Sequence, residues 1–377
     1  MHLAWGPEEE AFRAELGAFL DAHAPPEARG RGMDPEWGEG GIPEWARQWQ
    51  ALLFDHGWLI PGYPPELGGR NANDVQTLVF FEELATRGIP RALHFPGHAI
   101  VAPSLLEFGT EKQKELVPAA IRGDTVWCIG MSEPGAGSDL ASMRTRAELD
   151  GDHFVVNGQK VWTSYAMWSQ MCFLYVRTGA PDSKQRGISV LILDMATPGI
   201  DVRPLRQATG GVDFAEVFFT DVVVPVENLI GEMNDGWRVT MGSLAHERAG
   251  LWLEWIGALD HLFRRIVDQA KAKGVLGDEN MRGSLAAAYE EVAGLRALGY
   301  KGFATYEKAG AAPEHALLKL ATSELRKRLA QIAVEIDPTP ENRRELLGSF
   351  SGTIGGGTSE IQRNAIARHV LGLPRSY

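Results

Sequence analysis

An α+β chain of several domains, helical at both ends and β in the middle, is what the residue pattern predicts, and three observations carry it. Apolar residues recur at helical spacing up to about residue 125, alternating and β-branched runs fill about 126 to 234, and long Ala-rich helical patterns return from Trp237 onward. With 377 residues the chain exceeds the usual size of one hydrophobic core, so more than one domain is expected. The divisions fall at 1–125, 126–234 and 235–377.

In the first part, Pro7-Glu8-Glu9-Glu10 opens an amphipathic stretch through Leu20, proline and acidic residues being favoured in a first helical turn. Ala46 to Phe54 and Val75 to Ala85 repeat the pattern, and the Pro- and Gly-rich run from Pro61 to Gly69 between them is a loop. In the middle part, Gly187 to Leu193, Val202 to Pro204 and Glu216 to Val224 read as strands. Phe154 to Trp162 reads as two short strands around an Asn157-Gly158 turn, which leaves Trp162 and Ser164 on or just past a rigid strand. The helical pattern of the last part breaks at Gly274 to Asp278 and at Pro338 to Pro340.

A formal charge of −12 argues against nucleic acid or an anionic membrane surface as partner. A polyanionic ligand must then be held by local donors. Two cysteines, Cys128 and Cys172, are too few for a disulfide framework, and Cys172 in its apolar strand reads as a buried thiol. No apolar run approaches the length of a membrane span and the first residues are acidic, so a soluble, cytoplasmic protein is expected.

The chemistry concentrates between Met131 and Ser164. Two glycines and a proline in Ser132-Glu133-Pro134-Gly135-Ala136-Gly137-Ser138-Asp139 set a tight turn whose N–H groups and hydroxyls suit the oxygens of an anion or a carbonyl-rich ring edge. The indole of Trp162 offers a flat face to an aromatic cofactor and Ser164 a donor at its edge. Taken by themselves, these residues read equally well as a structural Trp and a loop Ser.

With Phe108-Gly109-Thr110-Glu111-Lys112-Gln113-Lys114 ahead of this stretch, Gly356-Gly357-Thr358-Ser359-Glu360-Ile361-Gln362-Arg363-Asn364 near the end and Val370 to Arg375 closing it, the chain resembles the acyl-CoA dehydrogenase family from end to end. The resemblance implies a helical N-terminal domain, a β-barrel-like middle domain and a C-terminal four-helix bundle. It implies FAD as cofactor, with Ser132 at the pyrimidine edge, Trp162 against the isoalloxazine and Ser164 beside N5. Met131, Thr163, Lys273, Thr358 and Glu360 join the cofactor-binding set. Ser138 falls at the pantetheine arm of an acyl-CoA substrate, with Arg248 and Gly356 also on the substrate side.

The reaction this implies, α,β-dehydrogenation of an acyl thioester, needs a carboxylate base at the α-carbon. Many members place it two residues before the Thr of the C-terminal motif, and here that position is Gly356. Others carry it as a Glu-Arg pair on the first long C-terminal helix, which Glu247-Arg248 matches. Glu247 is therefore the expected base, against the plain reading of a helical surface carboxylate. Glu360 fits better as a first-turn charge than as a base. His98 and His246 read as packed histidines. The missing side chain at Gly356 is expected to leave volume for a bulky or branched acyl group, and the resemblance implies that its backbone N–H still serves the thioester carbonyl.

Homotetrameric members reach a neighbouring subunit's flavin with an Arg and a Phe, where this chain has Lys273 and Leu276. The partners implied are electron-transfer flavoprotein and either a second copy or a related subunit. Two alternatives stand beside the dehydrogenase: an oxygen-using oxidase of the same fold, and a flavin-poor subunit of a heteromer.

Overall fold

The computed structural model describes residues 5–29, 40–91, 95–309 and 312–374, with the helix side chains at 241–253, 306–307 and 309 outside the described set. In chain order the first helices are α1 (Pro7–His23), α2 (Glu44–Asp55), α3 (Asp74–Arg87), α4 (Ala102–Phe108), α5 (Glu111–Lys114) and α6 (Val117–Arg122). The strands are β1 (Trp127–Gly130), β2 (Arg146–Asp150), β3 (His153–Ser164), β4 (Met171–Arg177), β5 (Ile188–Asp194), β6 (Ile200–Leu205), β7 (Phe214–Pro225) and β8 (Leu229–Ile230). The last part is helical: α7 (Gly236–Ala272), α8 (Glu279–Ala309), α9 (Glu314–Ile336), α10 (Pro340–Ser349) and α11 (Ser359–His369).

Two compact units divide these elements. One comprises Pro35–Ala72 and Arg91–Glu247, the other Met1–Asp34, Asn73–Pro90 and Arg248–Tyr377. The helical first part thus contributes to both.

The first unit is built on an eight-stranded sheet of order β6-β7-β3-β2-β4-β5-β8, with β1 joining β4 in parallel. Its core alternates along the strands as period-2 patterning requires, with Phe154, Val156, Leu174, Val176, Leu191, Leu193, Val217, Phe219, Val222 and Val224 turned inward. Cys128 and Cys172 face each other in register as buried free thiols. Their contact and burial push the Cys128 thiol well above its ordinary value.

The expected hairpin at Asn157-Gly158 is not there. His153–Ser164 is one continuous strand paired with β2 on one side and β7 on the other. The turn lies earlier, at Gly151-Asp152 between Asp150 and His153, where Gly151 has a φ of +62°. Asn157 instead exchanges hydrogen bonds with Asp221 across a register shift, Asn157 Nδ2 donating to Asp221 Oδ1 and the Asp221 N–H to Asn157 Oδ1, each at 3.0 Å. Pairing along both edges outweighs the local turn preference of the dipeptide.

In the second unit α1 packs on α3, burying Phe12, Leu16 and Leu20 on one helix and Val79, Phe80 and Leu84 on the other. A capping box between Asn73 and Gln76 starts α3, and Gly88 in the left-handed region ends it. Gly257 of α7 lies so near α3 that a Cβ would stand 2.3 Å from that of Ala85. The helices α8, α10 and α11 all pack against α9. The breaks at Gly274 to Asp278 and at Pro338 to Pro340 separate α7 from α8 and α9 from α10.

Candidate active site

The first group of candidate residues lies where the turn after β1 meets the end of β3. Glu133 and Ala136 exchange backbone hydrogen bonds of 3.1 and 3.0 Å and close the turn. Neither Gly135 nor Gly137 is in the left-handed region, and a Cβ on either would meet no atom within 4 Å. Nothing inside the chain therefore demands glycine there, whereas close approach of a ligand to the backbone would. The turn is tied to the strand by the Val161 N–H, which donates to the Ser132 carbonyl at 2.9 Å. Ser138 is exposed at the far side of the turn.

At the strand end a β-bulge re-aims the chain. Between Lys160, opposite Val217, and Thr163, opposite Ala215, β3 carries one residue more than β7. The extra residue allows Trp162 a φ of +60° and 61 % exposure, its indole edge-on to Phe214 at 6.1 Å between ring centroids. A bulky residue at positive φ holding its ring in solvent is strained and unburied, a combination found where function requires it. Thr163 turns inward, and its buried Oγ1 has no hydrogen-bond partner among the described residues. Ser164, at the strand end opposite Phe214, is half-buried.

Behind this wall lies a buried ionic cluster that charge patterning alone does not reveal. Lys160 is fully buried and donates to Glu133 Oε1 at 2.9 Å and to the Met131 carbonyl at 3.0 Å. Glu133 also accepts from the N–H groups of Arg144 and Thr145, at 2.7 and 2.9 Å. Burial works to raise the Glu133 carboxyl, but the Lys160 ammonium and these donors outweigh it and hold the carboxyl below its ordinary value. For Lys160 burial dominates, pulling the ammonium down against the attraction of Glu133. Arg177 completes the clamp, reaching the carbonyls of Ala141, Met143 and Lys184.

The second group of candidates surrounds a glycine loop between α10 and α11. Gly356 and Gly357 have φ of +66° and +93°. Lys319 of α9 donates to the carbonyls of Gly352 and Gly357 at 2.8 and 2.6 Å, and Gln362 Nε2 to that of Gly356 at 3.1 Å. Thr358 caps α11, its Oγ1 accepting from the Ile361 N–H at 3.3 Å. Glu360 is exposed in the first turn, and its own N–H and the Thr358 hydroxyl lower its carboxyl.

Lys273, just past α7, ion-pairs with Asp337 at 2.9 Å. The side chains of Glu247 and Arg248, on α7, lie outside the described residues, as do those of His246 and Trp252. His98 is buried in a π-helical turn, Gly97–Val101, edge-on to Phe95.

A strand that displays an indole and hydroxyls beside an open glycine turn, in a chain of helical, β and helical parts, is the arrangement that the sequence resemblance leads one to expect around a flavin. Comparison with known proteins is specific. Residues 6–124, 128–222 and 234–371 match the N-terminal, middle and C-terminal domains of acyl-CoA dehydrogenases, and the chain belongs to that family. It is 37 % identical to the acyl-CoA dehydrogenase IpdE1 of Mycobacterium tuberculosis over 97 % of its own length and 98 % of the relative's. Among solved structures it is similar to the Tcur3481-Tcur3483 steroid ACAD, with a TM-score of 0.85 at 31 % identity and complete coverage of both chains. The ChsE4-ChsE5 complex from Mycobacterium tuberculosis gives 0.84 at 30 % identity, again with complete coverage.

The family is flavin-dependent, and the residues present fit a flavin: an exposed indole, an orphaned buried hydroxyl at Thr163 and two glycines open to a ligand. Among the described residues no helix is long and apolar enough to cross a membrane.

Proposed function

We propose that this chain, organised as catalytic parts 1–125, 126–234 and 235–377, converts an acyl-CoA thioester to its trans-2-enoyl-CoA with FAD as cofactor. Bound FAD supplies the acceptor for the hydrogen that leaves the β-carbon with its electron pair. Met131 and Ser132 hold the pyrimidine edge, Trp162 covers the ring, and Thr163 and Ser164 present hydroxyls to it. Ser138 receives the pantetheine arm. Glu247 accepts the α-proton, and Arg248 serves the substrate side.

The observation that carries this reading is the state of position 356. A glycine at φ +66°, with the Lys319 chain as the nearest neighbour of its missing Cβ, offers no carboxylate, and the base must come from elsewhere. Glu247→Gln is expected to lower kcat by about 100-fold or more with flavin content unchanged, the range typical of a lost general base. Undiminished turnover would remove Glu247 from the mechanism.

The open volume at Gly356 supports a bulky or branched acyl group, and the steroid ACAD among the similar structures favours a ring-bearing one. A panel of straight, branched and ring-bearing acyl-CoAs tests this, best activity on short straight chains counting against it. Electrons pass to an electron-transfer flavoprotein in the cytoplasm; hydrogen peroxide formed without added acceptor would indicate an oxidase instead. A second reading, a flavin-poor subunit in a heteromer, is favoured by Lys273, which spends its charge on Asp337. Leu276, which lacks a stacking face, favours it too.

A further inference from the structure

Lys319 is 7 % exposed on α9, and taking an ammonium out of water is costly unless its protons are bonded. Two of its bonds go to the glycine loop, whose carbonyls at Gly352 and Gly357 it draws toward α9, while Gln362 draws that of Gly356 toward α11. The loop is closed on one side by the Gly355 N–H, donating to the Ser351 carbonyl at 2.9 Å, and on the other by the Thr358 cap. Between these, the N–H groups of Gly356 and Gly357 meet no protein acceptor among the described residues. Two successive left-handed residues with their carbonyls pulled aside form a small concavity of N–H donors suited to a negatively charged oxygen.

We propose that Lys319 is a positioning residue for the thioester carbonyl. By holding the carbonyls of Gly352 and Gly357 it keeps the N–H groups of Gly356 and Gly357 directed at the thioester oxygen. Its buried charge also adds to the field there as that oxygen gains negative charge on loss of the α-proton. The same cation bears on the missing carboxylate: a Cβ at Gly356 would stand 3.9 Å from Lys319 Cε, so an acidic side chain there would be drawn to the ammonium. This assignment rests on the reading above that a thioester carbonyl docks at this loop.

The test compares flavin-loaded wild type, Lys319→Met and Lys319→Arg for kcat, KM and binding of two probes. One is an enoyl-CoA product and the other its S-alkyl thioether of equal chain length, which lacks the carbonyl. Removing a single oxyanion donor typically costs roughly 100-fold or more in kcat, so displacing a pair by Lys319→Met should lower kcat at least about 10-fold. The preference for thioester over thioether should fall by a similar factor, thioether affinity should stay constant, and Lys319→Arg should restore part of both. Wild-type kcat and preference in Lys319→Met would overturn the assignment. Equal binding of the two probes by the wild type would instead overturn the docking reading itself, and the assignment with it. Should Lys319→Met fail to fold, Lys319→Gln, which keeps N–H donors without the charge, carries the measurement: an intermediate preference supports the assignment and an unchanged one refutes it.

Discussion

At position 356 a side chain has room but not a comfortable backbone, since φ +66° costs an ordinary residue about 1 kcal/mol or more. Placing Glu there in a Glu247→Gln background should therefore leave turnover near that of Glu247→Gln alone, and recovery to wild-type rate would show that the loop accepts a base. Glu133 makes a separate prediction. Its folded value lies below the ordinary 4.5, so its contribution is complete above that pH and is lost as pH falls through the folded value. Replacing it by Gln leaves buried Lys160 without its counter-charge, and about 3 kcal/mol of stability should be lost at pH 7. Denaturant titrations should show that difference narrowing at pH 4 and below. Sequence reasoning reached Trp162 because the resemblance assigns that position to the flavin, and Gly356 because a glycine stands where many members carry the base. It missed Lys160 and Lys319 because a lysine read alone is assigned to solvent, and only the strand shift and the loop fold bury them.

At the scale of the element, β3 is the informative case. Its two register shifts fall at Asn157-Gly158 and between Lys160 and Thr163, and each serves the wall: the first precedes the inward turn of Lys160, the second brings Trp162 out. A Cβ at Gly158 would lie 2.6 Å from Thr145 Cα, so Gly158→Ala should cost about 2 to 4 kcal/mol and lower the melting temperature by several degrees. An unchanged melting curve would mean that β2 can move away. The dipeptide Asn157-Gly158 misled as a hairpin because turn preference is a local signal, whereas the partner on the far edge, β7, begins more than fifty residues later. The starts of α1, α2 and α3 lie within a few residues of the stretches read as helical, since proline, acidic first turns and apolar spacing act locally.

For the whole molecule, the order helical, β, helical could be read from periodicity alone, and the contents of each part could be sited along the chain. The division into compact units could not, because it separates Met1–Asp34 and Asn73–Pro90 from the intervening Pro35–Ala72 through contacts distant in sequence. The assembly prediction belongs at this scale. If Lys273 and Leu276 suffice for a complete homomeric site, the chain purified alone carries about one flavin per subunit and bleaches on adding substrate. A value near zero, rising on addition of a related subunit, would establish the heteromer.

The left-handed glycine loop above a buried lysine also bears on how such a chain can change over generations. A carboxylate arriving at 356 by one substitution meets an unfavourable backbone and a cation that turns it aside. Loss of Lys319 alone releases the two carbonyls it holds around an otherwise unaltered loop. Neither change helps without the other, so a base standing where we propose it, at Glu247, is easily kept and is reversed only by paired substitutions.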